Sequence, residues 1–343
     1  MEAQTTPRSA AEEPTTASID ELEEDDADSG LADDDEGRST LSLDEDTINY
    51  QVLRGRTYHN SYSESTTVYW GANDKPQSKA MNSYNDTYRD FTGRMQRAEL
   101  APDIQRVLDI GTGTGSWAVQ FGECFPSATV IGTDLSPIQP GMVPPNVFFE
   151  VVDCGEKLPY KDNRFDYVHM RFLSGSIRNW DSLVAEILRV LKPGGIFESS
   201  EPSPVIETDH GRSDENSACQ QLVRILDEYG KMVDQTFAVV RNGLQEDCMV
   251  KAGFTDIQVK TFKFPLGQWQ PDENGKETRP WAQGMMDDLE GFILRPATSI
   301  GWSWNEVQVF LALLRKEIMS GKMNLWCLHK DVWGRKPHPT LET

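Results

Sequence analysis

The sequence predicts an α/β fold, a parallel sheet with crossover helices on its faces, and three observations carry that reading. First, the short apolar run Val107-Leu108-Asp109-Ile110 ends in Gly111-Thr112-Gly113-Thr114-Gly115, and Ser116 to Phe121 then reads as the opening turns of a helix. Strand, tight turn and helix start form the unit with which α/β folds hold a nucleotide-like ligand at a strand's carboxyl end. Second, from Val107 onward strand-period and helix-period runs alternate, the signature of a parallel sheet with crossovers. Third, Lys192-Pro193-Gly194-Gly195 is a helix stop, because proline cannot continue the helix and glycine supplies a left-handed cap or a turn into the next strand.

Taken in order, the chain opens on an acidic segment. Met1 to Thr47 holds 17 Asp and Glu against two Arg, so about fifteen of the 22 net negative charges of the 343 residues lie there. With almost no aromatic or long apolar side chains it cannot bury enough surface to offset chain entropy, and residues 1–47 are expected to be a disordered tail. The remainder carries about −7, which argues against capture of nucleic acid. No run approaches eighteen unbroken apolar residues, so no membrane span is expected, and five widely spaced cysteines without a C-x-x-C pair argue against a zinc site or a disulfide frame. These features point to a cytoplasmic chain, with a nuclear location as the alternative.

Residues 48–100 read as a cap and lead-in. Thr47 to Trp70 is dense in Tyr, His and Trp and is expected to dock on the body, and Asn73 to Leu100 carries Met81, Tyr84, Tyr88, Phe91 and Met95 at helical spacing, one or two helices. Residues 101–337 form the main domain. Its expected strands are Arg106 to Ile110, Thr129 to Asp134, Val147 to Asp153, Phe165 to Met170 and Gly195 to Ser200, with helices at Ser116 to Phe125 and Asp181 to Leu191 between them. Beyond these, Asp214 to Val233 and Asn242 to Ala252 read as helices, Asp256 to Phe264 as a strand, Trp281 to Phe292 and Asn305 to Ser320 as helices, and Lys322 to Trp333 as the last strand. A Trp-rich helical insertion covers about 269–320 and suits the capping of an apolar ligand.

The glycine turn carries the chemistry. Its pattern, D-x-G-x-G-x-G, differs from the dinucleotide fingerprint G-x-G-x-x-G, and bare glycine backbone lets N–H groups approach a carboxylate or phosphate directly. Asp134 closes the second strand nineteen residues beyond Gly115, near the separation at which an acid meets the hydroxyls of a ribose. Asp153-Cys154 ends the third strand, where a carboxylate can accept from an adenine amino group and the next N–H can donate to the ring. A general base would project from the end of the fourth strand or from the cap: His169, Arg171 and His59 with Tyr58 are the candidates, while Glu198 and Glu201 flank the fifth strand's end.

Several runs stand in order and spacing: Val107 to Gly115, Thr133-Asp134-Leu135-Ser136-Pro137-Ile138-Gln139-Pro140, Val143 to Val147, Phe165 to Arg171, Ser174-Gly175-Ser176-Ile177, Trp180, and Leu191 to Gly195. Together they resemble the fungal LaeA-like proteins, a class I S-adenosylmethionine (SAM)-dependent methyltransferase family associated with secondary metabolism. Gly55 to His59 and Trp333 to Pro337 resemble that family's ends, so the likeness spans nearly everything after the tail. The resemblance implies a Rossmann-like seven-stranded sheet, helices on both faces, the last strand antiparallel, and SAM across the carboxyl ends of the first strands. It carries the cofactor contacts onto Asp109, Gly111, Thr112, Gly113 and Gly115, the ribose acid onto Asp134 with Leu135 beside it, and the adenine contact onto Asp153 and Cys154. Two departures stand out: relatives commonly end the third strand in two acids with a Trp a few residues on, where this chain has Asp153-Cys154 and Leu158-Pro159-Tyr160, and Ser116 replaces a larger aliphatic. The function implied is methyl transfer to a small-molecule acceptor. The alternatives are a regulator of the same fold acting on secondary-metabolite genes in a nuclear complex with protein partners, and a silent SAM-binding scaffold.

Overall fold

The computed structural model describes residues 50–59, 68–209, 211–212, 214–267, 286–321 and 324–339; the acidic segment and the first part of the insertion lie outside them. The chain runs through a hairpin of β1 (Gln51–Leu53) and β2 (Arg56–Tyr58), then α1 (Lys75–Thr92), β3 (Arg106–Ile110), α2 (Ser116–Cys124), β4 (Thr129–Asp134), β5 (Val147–Val151), β6 (Phe165–Arg171), α3 (Trp180–Val190), β7 (Leu191–Thr208) and β8 (Gly211–Arg212). It continues through α4 (Ala218–Val233), α5 (Leu244–Ala252), β9 (Thr255–Leu266), α6 (Leu289–Ser299), α7 (Trp304–Ile318) and β10 (Leu325–Arg335). The main sheet has the order β5-β4-β3-β6-β7-β10-β9, with β8 paired to the far end of β7. Neighbours from β5 to β7 are parallel, and β10 runs antiparallel to both β7 and β9. The seven-stranded sheet with an antiparallel last strand is therefore as the sequence predicted.

Strand alternation distributes the core. Leu108 and Ile110 of β3 and Val168 and Met170 of β6 pack with α3 and α5, whereas Val107 and Tyr167 pack with Trp117, Ala118 and Phe121 of α2 on the other face. Asp109, His169 and Arg171 have the parity of Val107 and Tyr167. The same alternation that buries the core therefore sets these three polar residues on one face at the carboxyl ends of adjacent strands, with Asp109 and His169 direct register partners. A third cluster joins α4, α6 and α7 to β9, β10 and Tyr84 and Tyr88 of α1, building a helical lobe over that end of the sheet.

Several boundaries differ from expectation for physical reasons. The segment after Asn73, expected as one or two helices, forms one: Asp74 caps it by accepting from the Gln77 N–H, and Gly93 at φ 70° ends it, so Met95, expected on it, falls beyond it. Lys192 to Gly195 is strand, because the Gly194 N–H donates to the Lys336 carbonyl and the Lys336 N–H donates to Gly195; β7 accordingly starts at Leu191. The helix expected over Trp281 to Phe292 is described from Leu289 and runs on to Ser299, and residues 281–285 lie outside the described set. No helix among the described residues is long and apolar enough to cross a membrane.

Arg56 ties the cap to the body. Its guanidinium donates to both carboxylate oxygens of Asp74 and, at 2.8 and 2.6 Å, to both of Asp288, the residues that cap α1 and α6. One fork thus joins a hairpin, a helix start and a second helix start 232 residues away.

Candidate active site

Three glycines let β3 turn into α2. Gly111, Gly113 and Gly115 have φ of 68°, 57° and 78°, a region L side chains rarely adopt. A Cβ on Gly111 would run into the side chain of Leu173, and one on Gly115 into the ring of Phe149. The turn is held from both sides. Asp109 Oδ2 accepts from the Thr112 hydroxyl at 2.6 Å, the Thr112 N–H donates to the Thr133 carbonyl at 2.8 Å, and Asp134 accepts from the N–H groups of Gly113 at 2.8 Å and Ser136 at 2.9 Å. Gln139 Nε2 donates to the Gly113 carbonyl at 2.6 Å and to that of Ser136, stapling the run after β4 onto the glycine turn. Burial pushes the Asp134 carboxyl above the usual carboxylate range, against the pull of those two backbone donors.

Asp109 Oδ1 lies 2.7 Å from His169 Nδ1, and the imidazole stacks on Trp117 with ring centroids 3.8 Å apart and planes 4° from parallel. Burial lowers the His169 pKa more than Asp109 raises it, so the ring is neutral near pH 7. Arg171 donates to Asn85 of α1 at 2.6 Å. These elements wall a cavity of about 250 Å³. Asp109, Gly111, Thr112, Gly113, Asp134, Leu135, Cys154, His169 and Arg171 all line it. Asp109 and Asp134 therefore share one hollow. Gly115 serves as the N-cap of α2, behind that wall. Asp153 is not among the lining residues, and its carboxylate accepts from the Gly155 N–H at 2.8 Å. His59 reaches the cavity through Ser136, whose hydroxyl lies 3.3 Å from its Nδ1. Burial, with help from Arg295, lowers the His59 pKa.

The residues present fit a nucleoside sulfonium cofactor. The turn offers backbone that a Cβ would block, Asp134 offers an acceptor at the strand end, and two buried polar atoms in the cavity wall, Asn73 Oδ1 and Ser176 Oγ, have no hydrogen-bond partner among the described residues. A family described as a methyltransferase domain matches residues 79–259, just over half of the chain. Methyltransferase pytC of Aspergillus terreus is 32% identical over 289 residues, covering 82% of this chain and 86% of that one. The chain belongs to the LaeA-like SAM-dependent methyltransferase family. Other relatives of this methyltransferase include the secondary metabolism regulator laeA of Aspergillus fumigatus, 27% identical over 307 residues and covering 87% of this chain and 80% of that one. Among solved structures, phosphoethanolamine N-methyltransferase 2 of Haemonchus contortus matches at 21% identity and a TM-score of 0.44, covering 75% of this chain and about half, 53%, of that one.

Sequence reasoning missed several wall residues of the methyltransferase. Trp117 lies two residues past the last glycine, and Asn73, Trp70 and Ser136 belong to runs singled out for other reasons; no spacing rule places them at a ligand. Ser116 has a local explanation: its hydroxyl donates to Asn82 of α1 at 2.7 Å, as does that of Thr114, so α1 is bonded to the start of α2. Glu198 and Glu201 are not surface acids but fully buried. Glu198 accepts the N–H groups of Arg97 and Ala98, and Glu201 accepts those of Leu173 and Ser174 and the Ser174 hydroxyl at 2.8 Å. Burial pushes both carboxyls up to about 7. Glu201 thereby pins the loop 173–176, which forms part of the cavity wall. Glu201→Gln replaces an acceptor oxygen by a donor facing donors; it is expected to cost about 1–3 kcal/mol in urea unfolding, the price of an unsatisfied buried group.

Proposed function

We propose that this chain transfers a methyl group from SAM to a small-molecule acceptor of fungal secondary metabolism, within the cavity between the glycine turn and the helical lobe. The carrying observation is the sharing of that one cavity by the Asp109 turn, Asp134 and an apolar wall from α4 and α6, including Leu222, Leu226, Leu289 and Ile293. Asp109, Gly111, Thr112, Gly113 and Gly115 shape the cofactor cradle, Asp134 with Leu135 meets the ribose, and Cys154, with Asp153 behind its turn, meets the nucleobase. When bound, SAM supplies an electrophilic methyl on a sulfonium. His169, neutral and fixed by Asp109 through Nδ1, holds Nε2 ready to take a proton from the acceptor, and Arg171 faces the same space. His59 positions Ser136. The helical lobe keeps water out and aligns the acceptor, the two demands of an in-line displacement.

Residues 1–47 act as an acidic tail, 48–100 as a cap and 101–337 as the catalytic domain with its insertion, in a cytoplasmic or nuclear protein. Titration calorimetry of the purified full chain with SAM and with NAD tests the cofactor: heat with SAM and none with NAD is expected, and the reverse would overturn the assignment. The laeA relatives favour a second reading, a regulator with protein partners. Deleting the gene and profiling metabolites with transcripts separates the two: loss of one methylation step supports the enzyme of a single pathway, and silencing of many gene clusters supports the regulator.

A further inference from the structure

The acceptor half of the cavity is built to take a particular chemical class. Trp70, Tyr84, Phe172, Phe237, Phe292 and Ile293 line it, and the rings contact one another: Trp70 lies 5.2 Å from Phe237 and 5.7 Å from Phe292, and Tyr84 lies 5.7 Å from Phe292. Such a wall favours flat or isoprenoid apolar bodies. Into the same cavity the strand end of β6 brings a guanidinium. Arg171 sits over the rings of Tyr88 at 4.7 Å and Phe172 at 5.1 Å, and its hydrogen bond, to Asn85, is to a neutral amide.

The carboxylates around Arg171 are committed elsewhere. Asp109 serves Thr112 and His169, and Asp331 accepts from Tyr88 at 2.7 Å and pairs with Arg97 at 3.4 Å. Glu198 serves the Arg97 and Ala98 backbone, and Glu201 the Leu173 and Ser174 backbone. Among the described residues Arg171 has no ion pair. A guanidinium has five donors and cannot shed its proton, so one standing half-buried beside an apolar chamber calls for an anion.

We infer that the methyl acceptor is a small molecule with an apolar, ring-bearing or isoprenoid body and one ionised oxygen, a carboxylate or an acidic phenol or enol, that Arg171 binds. The inference rests on the functional reading above and deepens it. Once the oxygen has lost its proton, to solvent or to His169, the transfer itself needs no base: the ionised oxygen forms the O–C bond to the methyl group as the C–S bond breaks, the electron pair of that bond stays on sulfur, and the negative charge of the acceptor and the positive charge of the sulfonium are both consumed. A neutral ester or ether then faces Arg171, which no longer holds it by charge, and the product is released.

The test uses the full-chain protein saturated with S-adenosylhomocysteine and two probes of one shape, 2-naphthoate and its uncharged amide, titrated by calorimetry. Wild type is expected to bind the carboxylate at least tenfold more tightly than the amide. Arg171→Met should erase that difference while leaving the affinities for the amide and for S-adenosylhomocysteine unchanged, and Arg171→Lys should restore part of it. Leu226→Trp, which fills the chamber, should abolish binding of both probes without weakening S-adenosylhomocysteine. Equal affinities for the two probes in wild type, or no binding of either, would overturn the inference. So would an Arg171→Met variant that loses S-adenosylhomocysteine and keeps the probe preference, since the guanidinium would then read the cofactor's own carboxylate. If wild type does not bind S-adenosylhomocysteine at all, the functional reading fails, and the same probes titrated on the protein alone still decide the chamber.

Discussion

Arg56→Met is expected to destabilise the protein by about 3–5 kcal/mol, the cost of stranding the partners of a buried ion pair. The side chains of Arg56, Asp74 and Asp288 are only 12%, 16% and 6% exposed, so water screens little of their interaction. Removing the guanidinium leaves two carboxylates facing each other at the starts of two helices. The pH dependence follows from Asp74. Burial raises its pKa, but the hydrogen bonds and charge of Arg56, with the backbone N–H groups of Gln77 and Thr57, more than offset this and hold it below 3.8. A depressed carboxyl contributes stability that is present above its unfolded pKa and is lost as pH falls through its folded one. The gap between wild type and Arg56→Met in urea unfolding should therefore be widest near neutral pH and close as pH falls below about 4, where protonation relieves the stranded acids. A gap that is constant with pH would mean that lost packing, not charge, carries the effect.

Asp134→Ala is expected to weaken binding of SAM or S-adenosylhomocysteine by about 1.5–3 kcal/mol, roughly 10- to 150-fold, the scale of hydrogen bonds to a charged group. Two effects act together. The acceptor for the ribose diol disappears, and the Gly113 and Ser136 N–H groups lose the carboxylate that positions them. Asp153→Ala makes the comparison informative, since that carboxylate accepts from the Gly155 N–H, does not line the cavity, and should cost less. Equal losses in the two variants, read by calorimetry on the full chain, would move the ribose away from Asp134.

Much of this architecture was legible in the sequence because short-range rules decide it. The glycine turn, the acid closing β4 and the alternation of strand and helix follow from local backbone chemistry, and the structure brings Asp109, Asp134 and His169 to one hollow. What escaped the sequence depends on long-range partners. The hairpin of β1 and β2 is three residues per strand, too short for a period to declare itself. Arg56 reads as one basic residue among many until Asp288 is brought to it. Lys192 to Gly195 reads as a helix stop followed by a turn, and only the strand pairing with residues after β10 makes it sheet. Glu198 and Glu201 carry a surface residue's chemistry in the sequence, and their burial is visible only when loops from elsewhere present N–H groups to them.

The place of β10 has a consequence for biosynthesis. This strand, which leaves the ribosome after both of its neighbours, is the wedge between β7 and β9, and both are 12 residues or longer. Until Leu325 to Arg335 arrive, the nascent chain carries two long unpaired edges on either side of a gap, the arrangement most exposed to wrong pairing during synthesis. Completion of the sheet, and with it the seating of Asp331 against Tyr88 and Arg97 of the cap, therefore waits on this strand, and a chain without its 11 residues would also lose Cys327 from the wall of the acceptor chamber.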